Sequence, residues 1–264
     1  MTSTPSTAST PSAEAAFVTT TRTFYDAVAE DYAEMFAGER TEPRDGTVLA
    51  DFAELVGGCG GGQVADLGCG PGRTTAYLAS LGLDVLGLDL SGSMLAIARR
   101  ENPDLPFRQG SMLELDIPDG ALAGAVSWYS SIHTPVDQLP SLFAEFHRVL
   151  APGGHLLIAF QAGDRPLTLD RPFGHPVRLD FERRRPEAMA GLLEAAGFAL
   201  RSRTVREAKT ELGESSAQAF LTATRKAAAL FQGPAGTDLA RVFTDGEHGD
   251  HRADAPREER RHDG

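Results

Sequence analysis

Between Val64 and Arg73 the chain reads Val-Ala-Asp-Leu-Gly-Cys-Gly-Pro-Gly-Arg. A short buried strand runs into a glycine loop, and a helix starts directly after it. That order demands a βα unit, because so short an apolar strand is stable only within a sheet covered on both faces. Glycines at the junction let backbone N–H groups approach a ligand closely at the positive end of a helix. Asp66 sets this run apart from a phosphate loop. A carboxylate just before the glycines repels a pyrophosphate and attracts a cation, so the run favours a nucleoside that carries positive charge.

The rest of the chain alternates strand and helix signals. Tyr25, Val28, Tyr32 and Phe36 recur at helical spacing, so 24–36 is an amphipathic helix. Val48, Leu49, Phe52, Leu55 and Val56 mark a second helix, stopped at Gly57-Gly58. Strands are expected at 64–67, 85–88, 125–128 and 155–160, with a short one at Phe107 weakened by Pro106. Helices are expected at 74–81, from a cap at Ser91 or Ser93 through Ala98, and from Pro140 through Leu150, ended by Pro152-Gly153-Gly154. Farther on, Val177, Leu179 and Phe181 alternate with polar residues as a short exposed strand, and 186–196 is a helix. Residues 200–207 and 217–224 read as two strands with no helix between them, hence an antiparallel pair. Five βα alternations followed by that pair predict a doubly wound α/β sheet. Ligands of such sheets bind beyond the carboxyl ends of the strands, at the topological switch point.

At 264 residues and 41% hydrophobic content the chain can bury one core of ordinary size. The expected domain is 21–228, with N-terminal lid helices, between disordered tails at 1–20 and 229–264. The first sixteen residues lack the basic start and apolar centre of a signal peptide. The last thirty or so are too polar to offset their ordering entropy. They carry His248, His251 and His262 without cysteine partners or fixed spacing, so no metal is expected. A formal charge of −12 argues against a nucleic-acid surface. No apolar stretch reaches the ~20 residues of a membrane span. Cys59 and Cys69 fit a reduced, cytoplasmic protein better than a disulfide. A monomer or homodimer is expected.

The strand ends supply the candidate site. In the loop, Gly68, Cys69, Gly70, Gly72 and Arg73 surround a ligand whose ammonium Asp66 meets, directly or through water. Asp89 closes the second strand roughly 20 residues after the glycines, where an acid accepts hydrogen bonds from ribose hydroxyls. A plain helix cap is the alternative there, and the loop tips the balance to ribose. Leu90 and Met94 follow it. Gly110, Ser111 and Met112 after the third strand suit an adenine: a small residue, a hydroxyl at the ring edge and a soft thioether on its face. A sulfonium- and ammonium-bearing adenosyl cofactor, S-adenosylmethionine, fits this set. After the fourth strand come Tyr129 and His133, the candidate catalytic groups, since an imidazole near neutrality takes a proton from an acceptor. A histidine capping the Thr134-Pro135 turn is the structural alternative. Tyr25 and Tyr32, seven residues apart, share one helix face and either cover the cofactor or anchor the helix. His133, His175 and Arg178 are the candidate acceptor contacts.

Val64–Gly72 resembles the first motif of class I S-adenosylmethionine-dependent methyltransferases, and 85–91 with Asp89 resembles their second-strand segment. Leu150-Ala151-Pro152-Gly153-Gly154 is similar to their turn before the fifth strand, with Ala151 in place of the usual lysine. The helix of Tyr25 and Tyr32 is similar to the lid of small-molecule members. The resemblance implies a seven-stranded, mostly parallel sheet with a terminal antiparallel hairpin. It also implies SN2-like methyl transfer to O, N or C of a small molecule, with S-adenosylhomocysteine as product and no metal. Ser111 departs from the Asp that many relatives use for adenine, so that contact leans on the backbone of Met112 and Leu113. Two other readings stand beside this one. An NAD-dependent oxidoreductase shares the strand, glycines and acid, but Arg73 occupies its third glycine position. A non-catalytic S-adenosylmethionine-binding scaffold would keep the site without turnover.

Overall fold

A computed structural model describes residues 13–36 and 45–227; the tail histidines lie outside them. Helix α1 (Ala13–Met35) and helix α2 (Gly46–Gly58) precede an alternation of β1 (Gln63–Leu67), α3 (Arg73–Ser80), β2 (Asp84–Asp89), α4 (Gly92–Glu101), β3 (Phe107–Gln109) and β4 (Leu122–Trp128). Then come α5 (Leu139–Val149), β5 (Leu150–Gln161), a hairpin of β6 (Leu167–Asp170) and β7 (Arg178–Phe181), α6 (Pro186–Ala195), β8 (Phe198–Arg206) and β9 (Gln218–Arg225).

The main sheet has the order β3-β2-β1-β4-β5-β9-β8. Pairings from β3 through β5 are parallel, and β9 is antiparallel to both β5 and β8. The expected doubly wound sheet with its terminal antiparallel pair is therefore present. The chain builds outward from β1 to β3 and then returns to the other flank of β1 with β4. The switch point lies between β1 and β4, where the strand-end candidates converge.

Strand periodicity sorts the core. Val64, Val85, Val126 and Leu157 pack against Leu49, Phe52 and Val56 of α2 and Leu78 of α3. Their neighbours Ala65, Leu86, Ala125 and Leu156 join α5 and α6 on the opposite face. Helix α5 shows why these segments are helical: Leu139, Leu142, Phe143, Phe146 and Val149 are all fully buried at 3–4 spacing. Each such side chain stabilises the fold by about 1.5–3 kcal/mol. Pro140 sits in its first turn, as expected.

Several expectations need correcting. Helix α5 ends at Val149, not at Pro152, because Leu150 is already extended and pairs with Leu122. Ala151–Gly154 is then a bulge inside β5, where the ladder register jumps to Gly124↔His155. Among the described residues no helix links β3 to β4, so the βα alternation breaks there. The exposed strand near Val177 is β7, and it pairs with β6 in a separate two-stranded sheet. Helix α1 begins at Ala13, within the span expected to be tail. Its threonines are accommodated by back-bonding, Thr20 to the Ala16 carbonyl and Thr23 to the Thr19 carbonyl.

Gly68 shows how tightly the switch point is closed. Its φ is +77°, and a Cβ there would stand 2.3 Å from the Ser130 Cβ at the end of β4. Gly70 also has positive φ, +54°, yet a Cβ there would meet nothing within 4 Å. Gly68→Ala is therefore expected to destabilise by about 2–4 kcal/mol through combined clash and backbone strain, and Gly70→Ala by about 1 kcal/mol through strain alone. Urea unfolding of both variants measures the difference, and equal losses would remove the close approach to Ser130 as the reason for Gly68.

Candidate functional site

The glycine loop is pinned to β2 from below. The amides of Gly68 and Cys69 both donate to the Leu88 carbonyl, at 2.7 and 2.9 Å. Asp66 lies fully buried beneath the loop. Thr75, in the first turns of α3, donates its hydroxyl to Asp66 Oδ2 at 2.7 Å, while Oδ1 is buried without a protein partner. Burial, above all, lifts the carboxyl from 3.8 to about 7, with repulsion from Asp89 adding to it and the Thr75 hydrogen bond opposing it. Asp66 does not line the cleft; it acts on it from one layer below.

Asp89 is the acid that faces the cleft. Its Oδ2 accepts from the Gly70 amide and its Oδ1 from the Ser91 amide, both at 2.8 Å. Burial raises its pKa, and those amides hold it back. A carboxylate oxygen carries two lone-pair directions, so each retains one for a ligand hydroxyl. Ser91, not Asp89, caps α4, accepting from the Met94 amide at 3.0 Å. The same Ser91 hydroxyl donates to Asp26 of α1, which also accepts from the Ser93 amide.

Leu90, Met94 and Met112 line the same cavity as Asp89, Gly68 and Gly70. Gly110 donates to the Asp89 carbonyl at 3.0 Å. Ser111 turns its hydroxyl to the Leu113 amide at 3.2 Å. Gly72 is packed against Phe107 and Ala98, so its role is to let α3 start close to the sheet. Cys69 is buried and its thiol pKa is raised by burial. Arg73 lies 4.5 Å over the Phe36 ring.

The opposite wall comes from α1 and the end of β4. Tyr129 holds a φ of +57°, an uncommon backbone for a tyrosine, at the rim of the cavity. Ser130 bridges the Leu67 carbonyl and Ser127, locking the end of β4 to that of β1. His133 sits in a short 3₁₀ turn, Ser131–His133. Its Nε2 is 2.8 Å from the Tyr25 hydroxyl and its Nδ1 is 3.3 Å from the Asp180 carbonyl. A carbonyl only accepts, so Nδ1 carries the proton and Tyr25 donates to Nε2. Burial lowers the His133 pKa from 6.5 to about 4 and raises that of Tyr25. Tyr32 meets Tyr25 edge-on at 5.9 Å between ring centroids.

His175 and Arg178 are placed apart from this cavity. His175 Nε2 pairs with Asp31 of α1 at 2.8 Å. Arg178 lines a neighbouring hollow that it shares with His133, Thr20 and Thr21. Thr75, Asp26 and Ser130 escaped the sequence reading. A threonine in a helix turn or a serine after a strand has no signature until its partner is known.

A second chamber of about 410 Å³ opens beside the first and shares Tyr25, Tyr32, Gly68, Gly70, Trp128 and Tyr129 with it, and the glycine loop from Gly68 to Arg73 lines its near side. Helix α1, the β6–β7 hairpin and the start of β9 wall it.

Comparison with known proteins agrees with this geometry. Residues 64–154 match the methyltransferase domain family. A trans-aconitate 2-methyltransferase of Methylobacterium nodulans is 38% identical over 128 residues, covering 47% of this chain and 45% of that protein. A demethylmenaquinone methyltransferase of Renibacterium salmoninarum is 34% identical over 106 residues, covering 40% and 44%. The match thus spans about half the length of these curated relatives. Among solved structures, the DhpI–SAH complex superposes with a TM-score of 0.61 at 24% identity, over 80% of this chain and 98% of that one. The [4+2]-cyclase SpnF also gives 0.61, at 19% identity, over 79% and 96%. The fold is the Rossmann-like fold of class I methyltransferases.

The buried, unpartnered Oδ1 of Asp66, the open side of Gly70 and the outward lone pairs of Asp89 fit a hydroxylated, cationic adenosyl ligand. Asp89→Ala is expected to weaken S-adenosylhomocysteine binding by about 1–3 kcal/mol. With Asp66 near 7, its ionised form grows between pH 6 and 8, so affinity should rise across that range with proton release. Asp66→Asn should flatten the dependence. Titration calorimetry in two buffers of different ionisation enthalpy reads both effects, and pH-independent wild-type affinity would contradict the Asp66 role.

Proposed function

We propose that this chain, with its methyltransferase domain match and its class I fold, is an S-adenosylmethionine-dependent methyltransferase acting on a small molecule. The observation that carries the reading is the convergence of Gly68, Gly70 and Asp89 over the buried Asp66 at the switch point. The proposed catalytic domain is 21–228 extended at its start to Ala13, in a cytoplasmic monomer or homodimer.

When bound, S-adenosylmethionine supplies a methyl group on a sulfonium, an electrophile that needs no metal to react. The chain's own part is to position and to exclude water. Asp89, oriented by the Gly70 and Ser91 amides, holds the ribose side, Met112 packs the base, and Asp66 fixes positive charge from beneath. Tyr25 closes α1 over the cavity through its bond to His133. At neutral pH His133 is uncharged and keeps a lone pair at Nε2, so a proton released by the acceptor passes through the Tyr25 hydroxyl to that nitrogen. A pKa of about 4 makes it a weak base, so its effect lies at the low end of the roughly 10²–10⁴-fold range for general bases. Tyr129 stands at the rim as the second candidate contact.

A specific observation favours one other reading. The [4+2]-cyclase SpnF shares this fold, so the fold alone does not commit the site to methyl transfer. Transfer of labelled methyl from S-adenosylmethionine to a metabolite panel decides between them; binding without transfer to any member favours the scaffold. An oxidoreductase is disfavoured because Arg73, packed on Phe36, stands at the third glycine position of a dinucleotide loop.

His133→Ala and Tyr25→Phe are each expected to lower kcat by about 10–10²-fold while leaving S-adenosylhomocysteine affinity within about twofold. Because His133 gains its proton only near pH 4, the wild-type kcat profile should show no histidine inflection near 6.5. An inflection there, lost in His133→Ala, would show that the imidazole is solvated during turnover and overturn the buried-relay role.

A further inference from the structure

We propose that the second chamber receives an uncharged, ring-bearing acceptor, an aromatic alcohol or reduced quinone in chemical class, and not a polycarboxylate. The proposal rests on the methyltransferase reading for its position and on the walls for its chemistry. The chamber is continuous with the first through Tyr25, Trp128 and Tyr129, so its occupant lies directly beside the cofactor pocket. Its size falls within the roughly 300–1,000 Å³ of small-molecule sites.

Its walls are apolar. Phe24 and Val28 of α1 meet Leu169, Leu179 and Phe181 of the hairpin in one cluster, and Phe24, Val28, Leu169 and Phe181 also line the chamber. Phe173 adds a large ring at the hairpin tip and is 47% exposed. Its φ is +53°, and Arg171 two residues earlier has +54°. A bulky residue in the left-handed region costs about 1–2 kcal/mol. Phe173 nonetheless lines the chamber, and its solvent exposure leaves it unused by the core.

The charges point the same way. Asp45, Glu214 and Arg73 are the charged residues on this wall among the described ones. Asp45 and Glu214 are both held by Arg206, at 2.6 Å each. Arg73 is stacked on Phe36. Lys209 also stands 3.6 Å from Asp45, so both carboxylates are nearly buried and already paired with cations. A tricarboxylate would shed its hydration against the apolar walls while Arg206 is already taken by Asp45 and Glu214, which disfavours it. Gln161, Ser215 and Gln218 offer neutral donors and acceptors at the far end, suited to an uncharged oxygen.

The test is titration calorimetry of the full chain with 2-naphthol and with citrate, each with and without S-adenosylhomocysteine. 2-Naphthol should bind at least tenfold more tightly than citrate in both settings. Phe173→Ser, at an exposed position, and Leu169→Asp should each weaken naphthol at least tenfold and leave S-adenosylhomocysteine affinity unchanged. Citrate binding as tightly as naphthol, or naphthol affinity untouched in both variants, overturns the acceptor class. Absence of S-adenosylhomocysteine binding instead overturns the methyltransferase reading, while the naphthol arm without it still reports on the chamber.

Discussion

The carboxylate of Asp89 joins more of this molecule than any other side chain of the site. One oxygen holds the Gly70 amide of the first loop and the other holds the Ser91 amide that opens α4. Ser91 passes the connection to Asp26, and so to α1. Three segments far apart in sequence are thereby fixed around one buried acid. Charge-assisted bonds of this kind are about twice as strong as neutral ones, and here they orient the carboxylate with its remaining lone pairs toward the cleft. The same contacts that stabilise the fold pre-organise the ligand site.

Two acids buried in one site would be unfavourable without such partners, and their environments separate their roles. Asp89 has backbone amides on both oxygens, which favour its ionised form against burial. Asp66 has one hydroxyl and an oxygen with no protein partner, and its carboxyl rises to about 7. In the ligand-free protein the sign is that of a raised acid: Asp66 favours the fold most below its unfolded pKa and loses that contribution as pH rises to about 7. A cation bound above it reverses the sign. Positive charge bound above Asp66 would offset the cost of ionising it at neutral pH, which is the basis of the role proposed for this acid.

Helix α1 is the element shared by both chambers. Ala29 and Ala33 pack on Met94 and Ile97 of α4, while Phe24 and Val28 pack on the hairpin. Tyr25 lies between these two contacts and reaches His133. Its outer fastenings are weak by comparison. Arg100–Glu30 is a fully exposed pair and His175–Asp31 a half-exposed one, so solvent and salt screen both. His175 therefore fastens α1 to the segment just before β7.

The cofactor half of the site was legible in the sequence because one short run contains most of it. Glycines, acid and flanking strand are contiguous from Val64 to Gly72, and Asp89 ends the next strand in register with them. The loop amides there are spent on Leu88, Asp89 and Cys69 and so fix the shape of the loop, and backbone conformation is what glycine spacing encodes. The acceptor half is written differently. Phe24, Leu169, Phe181, Trp128 and Gln218 come from five separate elements, and each alone reads as ordinary core or surface. Strand β6 was invisible because Leu167–Asp170 is four residues long, follows Pro166 and buries neither face fully. The start of α1 was hidden by its threonines, whose back-bonds to the helix carbonyls appear only once the helix exists. The proposed cofactor site is thus encoded by a local pattern and the proposed acceptor chamber by tertiary assembly. Apolar walls drawn from several elements can therefore select an acceptor without any motif.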